Sequence, residues 1–395
     1  MPPDPSAAEA SLLPLDAHDR VRSVYVHVPF CRHRCGYCDF SIIANRGELV
    51  PRYLRALEHE LAAAAPPDGK PLMLDTLYIG GGTPTLLSVA ELSQLLELLA
   101  RYFLLYPGAE YTFEANPDQF SREKQQLLAA AGVNRISLGV QSFDDRYLQL
   151  LERAHSSLQA LRVLEQLREH FTNISLDLIF ALPGQTLAHW EQTLAQALDL
   201  VPPHISTYAL TYEKGTRFWG ARAKGVLNSL DEELESEMYR ATLSRLAKAG
   251  MLQYEISNFC LPDWHSRHND VYWTGLPYQA FGPGASRFVA GQRETNHRSP
   301  FTWMKRLEAG CTPVESRDNL TGEQRARELF AIGLRRNRGV EKALIQRITQ
   351  VDAAALLRQE LDSLLARRWI HETSTHVYLT DQGRLFADAI ASEVI

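Results

Sequence analysis

Ser23-Val24-Tyr25-Val26-His27-Val28-Pro29-Phe30-Cys31-Arg32-His33-Arg34-Cys35-Gly36-Tyr37-Cys38 sets a short apolar strand, Ser23–Val28, directly against a polar loop that carries three cysteines. The spacing is C-x3-C-x2-C. Three thiolates on one tight loop can hold three corners of a cuboidal iron–sulfur cluster, which normally takes four cysteines. The missing fourth leaves one iron open to chelate a small molecule. A closed zinc site is the alternative, with His33 or Asp39 as the fourth ligand it would need. Three buried free thiols suit a loop bearing Arg32, His33 and Arg34 poorly.

The chain has 395 residues and five cysteines, the others being Cys260 and Cys311. An odd count with three cysteines clustered reads as metal ligation and not as a disulfide scaffold. The 41 Lys+Arg against 47 Asp+Glu give a formal charge of −6, which argues against a nucleic-acid partner. No apolar run is long enough to span a bilayer. The first twenty residues, rich in Pro, Ala and Asp, do not read as a signal peptide. They are expected to form a flexible tail of a cytoplasmic protein.

Outward from the cysteine loop, strands and helices alternate. Strands are expected at Thr76–Ile79, Tyr111–Ala115, Arg135–Val140, Ile174–Phe180 and Ile205–Leu210. Helices are expected at Pro51–Ala65, Ser88–Phe103, Arg122–Ala131, Asp144–Glu152, Leu158–His170, Leu187–Leu200 and Ser236–Ala249. In Ser88–Phe103, Leu92, Leu95, Leu96, Leu99 and Phe103 share one helical face. Such alternation implies an α/β fold with a parallel sheet and right-handed crossovers. Functional groups gather at the C-terminal ends of strands in open sheets and barrels alike. The cysteine loop, Gly80–Thr83, Glu114–Asn116 and Gln141 follow successive strands, and Asp177 lies in the fifth. From residue 311 onward, helices followed by a small β-wing predict a winged-helix-like module. The expected domains are a tail (1–20), a core (21–310) and this module (311–395).

Gly80-Gly81-Gly82-Thr83-Pro84 follows a strand, where glycines let backbone N–H groups approach an anionic ligand. It has no Gly-Lys-Ser/Thr continuation, so a nucleotide P-loop is not expected. With the cysteine spacing after the first strand, these residues resemble the radical SAM proteins. Phe-Glu114-Ala-Asn-Pro, Leu-Gly-Val-Gln141-Ser-Phe, Leu-Leu-Glu-Arg153 and Leu-Asp177-Leu-Ile-Phe resemble the HemN/HemW-like branch of that superfamily. The resemblance spans roughly residues 20–395. It implies a partial (β/α)6 barrel, a [4Fe–4S] cluster on Cys31, Cys35 and Cys38, and S-adenosylmethionine (SAM) cleaved reductively to a 5′-deoxyadenosyl radical. It also implies SAM contacts at Tyr25, Tyr37, Gly81, Gly82, Thr83, Glu114, Gln141, Arg153 and Asp177.

Two functions share this branch. Oxygen-independent coproporphyrinogen III oxidases continue the motif as C-x3-C-x2-C-x-C, but here Phe40 follows Asp39. Arg267-His268-Asn269-Asp270-Val271-Tyr272-Trp273 resembles the H-N-x-x-Y-W segment of the haem chaperones. The resemblance therefore implies haem as cargo, an acceptor haemoprotein as partner, and His268, Tyr272 and Trp273 as haem-binding residues. A neutral imidazole can ligate haem iron, and the aromatic rings offer flat apolar surface. Arg267 or Arg287 would pair with propionates, and His265 and Cys260 are alternative ligands. Read without the resemblance, a histidine beside aromatic rings is as readily a hydrogen-bonded interior group.

Overall fold

The computed structural model describes residues 20–395. The expected tail falls on residues 1–19, outside the described residues, apart from Arg20. β1 (Ser23–Val28) leads into a short pair, β2 (Phe30–Cys31) and β3 (Ile43–Ala44), that brackets the cysteine loop. Then α1 (Val50–Ala64), β4 (Leu72–Gly81), α2 (Val89–Tyr102), β5 (Phe103–Ala115), α3 (Arg122–Ala130) and β6 (Arg135–Gln141) follow. α4 (Asp145–Leu150), α5 (Ser157–Leu167), β7 (Asn173–Phe180), α6 (Leu187–Asp199) and β8 (His204–Ala209) complete the alternation.

β1, β4, β5, β6, β7 and β8 lie side by side in that order, all parallel. Every residue of β6 before Gln141 is buried, as expected of a strand covered on both faces. α2 covers the sheet with Leu92, Leu95, Leu96 and Leu99, and starts at a capping box in which Ser88 and Glu91 bond each other's backbone. The fold is the expected partial barrel, an open α/β sheet of nine strands.

β5 departs from the sequence expectation. It begins at Phe103, where α2 ends, although the sequence predicts helix there and strand only from Tyr111. Leu72–Leu74 of β4 pair with Phe103–Leu105, then the register jumps from Leu74↔Leu105 to Thr76↔Glu110. The jump absorbs Pro107-Gly108 as a bulge, so a turn signal sits inside a strand.

After β8 come α7 (Arg217–Ala223), α8 (Glu232–Lys248), and β9 (Leu252–Glu255) and β10 (Asn258–Cys260), which extend the sheet antiparallel. α9 (Arg267–Trp273) precedes β11 (Gln279–Phe281), which returns to pair parallel with β1. β12 (Ser286–Val289), β13 (Gln292–Asn296) and β14 (Val314–Asn319) form a small sheet flanked by α10 (Pro300–Glu308).

The remaining elements are α11 (Gly322–Gly333), β15 (Val340–Glu341), α12 (Lys342–Thr349), α13 (Ala353–Leu356), α14 (Arg358–Ala366), β16 (Ile370–Glu372), β17 (His376–Leu379), α15 (Asp381–Arg384) and α16 (Ala387–Val394). They enclose a second core around Phe330, Leu357, Leu361, Leu364 and Val377. β15, β17 and β16 form its wing, which is the winged-helix-like arrangement the sequence suggested.

Both outer edges of the large sheet are occupied. β11 is bridged to β12 at Tyr278↔Phe288. β9 is met by the C-terminal module: Glu255 bridges Arg336, and the Asn337 N–H donates to the Tyr254 carbonyl (3.0 Å). Among the described residues no helix is long and apolar enough to cross a membrane.

Candidate functional site

The C-terminal ends of the parallel strands open into one cavity of about 1000 Å³. Cys31, Cys35 and Cys38 line it, with Tyr37, Gly81, Gly82, Thr83, Glu114, Gln141, Arg153 and Asp177. Cys31 closes β2, so strand pairing fixes its position. Cys38 N–H donates to the Cys35 carbonyl (3.1 Å). Arg34 folds back across the loop, its guanidinium donating to the carbonyls of Cys38 (3.3 Å), Phe40 (3.1 Å) and Ile42 (3.1 Å). Cys31 Sγ lies 3.6 Å from Thr83 Oγ1, and Cys35 Sγ lies 3.8 Å from the Glu152 carbonyl. Burial pushes the Cys31 thiol up to about 12 and also raises Cys38. Thiols held protonated in this way ionise only beside a cation.

Among the described residues no three His, Cys, Asp or Glu side chains, the three cysteines included, converge as ligands of a single ion. Both residues that would close a zinc site are committed elsewhere. His33 Nε2 lies 2.9 Å from Glu152 Oε2, and Asp39 is paired with Arg298.

The glycine run works differently from the sequence expectation. Its amides face protein acceptors: Gly81 N–H donates to Glu114 Oε2 (2.8 Å), Gly82 N–H to the Val28 carbonyl (2.9 Å) and Thr83 N–H to the Phe30 carbonyl (2.7 Å). They are taken up by the protein itself and are not presented to an anionic ligand. The glycines permit close packing instead. A Cβ on Gly82 would lie 2.6 Å from the Phe30 carbonyl oxygen and 3.0 Å from Cys31 Sγ. Gly81, at φ +115°, would strike the His27 ring.

The polar residues expected at the strand ends do converge. Glu114 accepts from Tyr78 Oη (2.8 Å), and burial raises its carboxyl to about 7. Asp177 accepts from Ser137 Oγ (2.8 Å) and Ser175 Oγ (3.1 Å), and burial raises it too. Arg153 is half-buried against the Asn116 side chain and the Gly139 carbonyl, with Nη1 4.0 Å from Cys35 Sγ. Gln141 adopts φ +65°, a left-handed conformation that a non-glycine residue holds only under constraint. Tyr37 packs beside Phe218, and burial pushes its hydroxyl to about 12. Tyr25 is set apart from the cavity lining, its hydroxyl 3.0 Å from His27 Nδ1.

The segment expected to bind haem does not line the cavity. α9 packs against β4, where His268 is 1% exposed and its ring lies 5.1 Å from that of Tyr78, a residue of the cavity wall. Its Nδ1 lies 2.7 Å from Thr76 Oγ1 and its Nε2 2.9 Å from Tyr272 Oη. Both ring nitrogens are thus bonded, and burial lowers the imidazole to about 3, so it is neutral. Tyr272 packs edge-on against Tyr278, and Trp273 lies under the Arg335 guanidinium, 4.9 Å away. Neither arginine expected to meet propionates is free: Arg267 donates to the Gly108 carbonyl (2.7 Å) and Arg287 to Glu294 (2.7 Å). In this conformation His268 is a satisfied interior histidine. Cys260 is buried in β10, and His265 packs edge-on to Tyr254.

Several residues that organise the site carry no local sequence signal. His27 Nε2 lies 2.7 Å from the Ser41 carbonyl, tying the first strand to the far end of the loop. Glu60, buried and raised to about 7, accepts from Gly282 N–H (2.9 Å), Asn296 Nδ2 (2.6 Å) and Trp303 Nε1 (3.2 Å). Their partners lie far away in the chain, so only the fold brings them together.

Residues 25–197 match the radical SAM superfamily, and residues 320–386 match the HemN C-terminal domain. The chain is 38% identical to the heme chaperone HemW of Bacillus subtilis, over 94% of this chain and 98% of that protein. It is 34% identical to the heme chaperone HemW of Lactococcus lactis, over 91% and 94%. Among solved structures, the coproporphyrinogen III oxidase HemN of Escherichia coli superposes with a TM-score of 0.82 at 24% identity, covering 95% of this chain and 90% of that one. That last likeness concerns the fold.

Proposed function

This chain belongs to the HemW family of radical SAM proteins, and from that premise we propose that it binds haem and passes it to an acceptor haemoprotein. The observation that carries the reading is near full-length identity to proteins named for haem chaperoning, joined to Phe40 at the position where the oxidases place a further cysteine. Phe40 is 59% exposed and lines the cavity beside the three thiols. In this reading the [4Fe–4S] cluster sits on Cys31, Cys35 and Cys38, with exchangeable SAM beside it. When bound, the cluster supplies an electron that SAM can accept.

The chain's own residues hold and orient these groups. The half-buried carboxyls of Glu114 and Asp177 favour a cationic ligand, and SAM carries a sulfonium and an ammonium. Gly81, Gly82 and Thr83 form the wall, and Tyr37, Gln141 and Arg153 the side nearest the cysteine loop. Residues 21–310 serve as the core and 311–395 as a separate module, in a protein that works in the cytoplasm. Haem ligation by His268, with Tyr272 and Trp273 as its aromatic walls, requires α9 to leave its seat, because both ring nitrogens are bonded where it now lies.

The test pairs two assays on anaerobically reconstituted protein. Haem titration followed by transfer to an apo-haemoprotein is expected to succeed. Turnover of coproporphyrinogen III with SAM and reductant, beside a working oxidase, is expected to give no protoporphyrinogen. Conversion would overturn the chaperone reading in favour of the oxidase.

A further inference from the structure

The cysteine loop has little regular structure of its own, yet a ligating loop must hold three thiols in a fixed relation. Arg34 organises it from within. A second set of contacts grips it from outside, through Glu152 and α7.

Glu152 sits just past the end of α4 at φ +57°, where glycine is favoured. Its contacts show what a side chain gains there. Glu152 Oε2 lies 2.9 Å from His33 Nε2 on the cysteine loop, and the same oxygen is ion-paired with Arg217 at the start of α7. Its carbonyl accepts from Cys35 Sγ (3.8 Å). One residue therefore touches the loop twice and α7 once.

α7 adds a direct clasp. Phe218 N–H donates to the Gly36 carbonyl (2.8 Å). The Phe218 ring lies flush against Gly36, where a Cβ would fall 2.2 Å from Cε1. Gly36 is thus the residue between Cys35 and Cys38 that admits the ring. Phe218 is anchored in a small core of its own with Tyr147, Leu151, Ile179, Leu182 and Leu210, and Tyr37 packs against this cluster.

We propose that Glu152, Arg217 and Phe218 form a latch that holds the cysteine loop in its ligating shape. They are positioning residues for the cluster, and the proposal rests on the cluster reading above for its purpose. The latch itself is a property of the polypeptide, so it acts before any iron is bound.

The experiment has two arms. In metal-free full-length protein, amide hydrogen exchange of the segment 31–40 is followed by mass spectrometry. Phe218→Ala should speed exchange there by about tenfold, the loss of a buried aromatic anchor, with main-core segments unchanged. Glu152→Gln and Arg217→Ala should each speed it by about threefold, as befits a partly exposed ion pair. The double variant should be no faster than Glu152→Gln alone, because the two share one contact, and Arg217→Lys should stay near wild type. In reconstituted protein, loss of visible cluster absorbance to a chelator should follow the same order. Exchange at 31–40 equal to wild type in all variants would overturn the latch, and so would additive effects of Glu152 and Arg217. A wild-type chain that takes up no cluster would instead sink the cluster reading, while the exchange arm would still decide the latch.

Discussion

Glu114 shows how one half-buried carboxyl links the site to pH. Its ordinary value near 4.5 is raised to about 7, chiefly by burial. The folded chain thus holds this proton more tightly than the unfolded chain. Its contribution to stability is fully present below about 4.5 and is lost as pH rises through 7. A cationic ligand beside it favours the ionised form. SAM affinity is therefore expected to strengthen between about pH 6 and 8, and Glu114→Gln should flatten that dependence; a slope that survives the substitution would place the titrating group elsewhere. Cys35 offers a simpler test. Half-buried and outside the main core, it should be replaceable by alanine with little change in thermal midpoint while the visible absorbance of the cluster disappears. A full cluster in Cys35→Ala would refute the ligand set.

At the scale of elements, α9 is the piece whose seating decides access to His268. Glu110 of β5 caps its start, accepting from Arg267 N–H (2.8 Å) and His268 N–H (3.1 Å). Asp270 ties it to Arg336 and Arg338 of the C-terminal module, both at 3.5 Å. Tyr272→Phe frees His268 Nε2 and should cost about 1 kcal/mol, read as a lower urea midpoint. If His268 ligates haem, the same change should speed the haem-induced Soret shift; an unchanged rate would direct attention to another ligand. The alternation of strands and helices was readable because apolar runs and glycine stops are local. The junction at Phe103 was not, since nothing in α2 announces a strand without a turn, and Pro107-Gly108 signals a break that the register jump conceals. The converging strand-end residues were equally legible. The seat of His268 was hidden, because Thr76 lies far off in sequence, and an interior and an open histidine read alike.

Over the whole molecule, two cores meet along β9 and α9. Arg335 lies between them, over Trp273 and within 3.7 Å of the buried Glu255 carboxylate. Arg335→Ala should therefore destabilise the protein by about 2 kcal/mol, because it strands a buried acid. Chemical denaturation should show this as a lower midpoint, and an unchanged midpoint would mean the contact does not couple the two cores. The same meeting line has a consequence for a shortened chain. Asn337 and Arg336 occupy the outer side of β9. Removing the module would leave Tyr254 and Glu255 with bare backbone groups on the last strand of a large sheet, a template on which another chain can add a strand. A fragment cut at residue 311 would then fail by oligomerising edge to edge at rising concentration, with its barrel still folded.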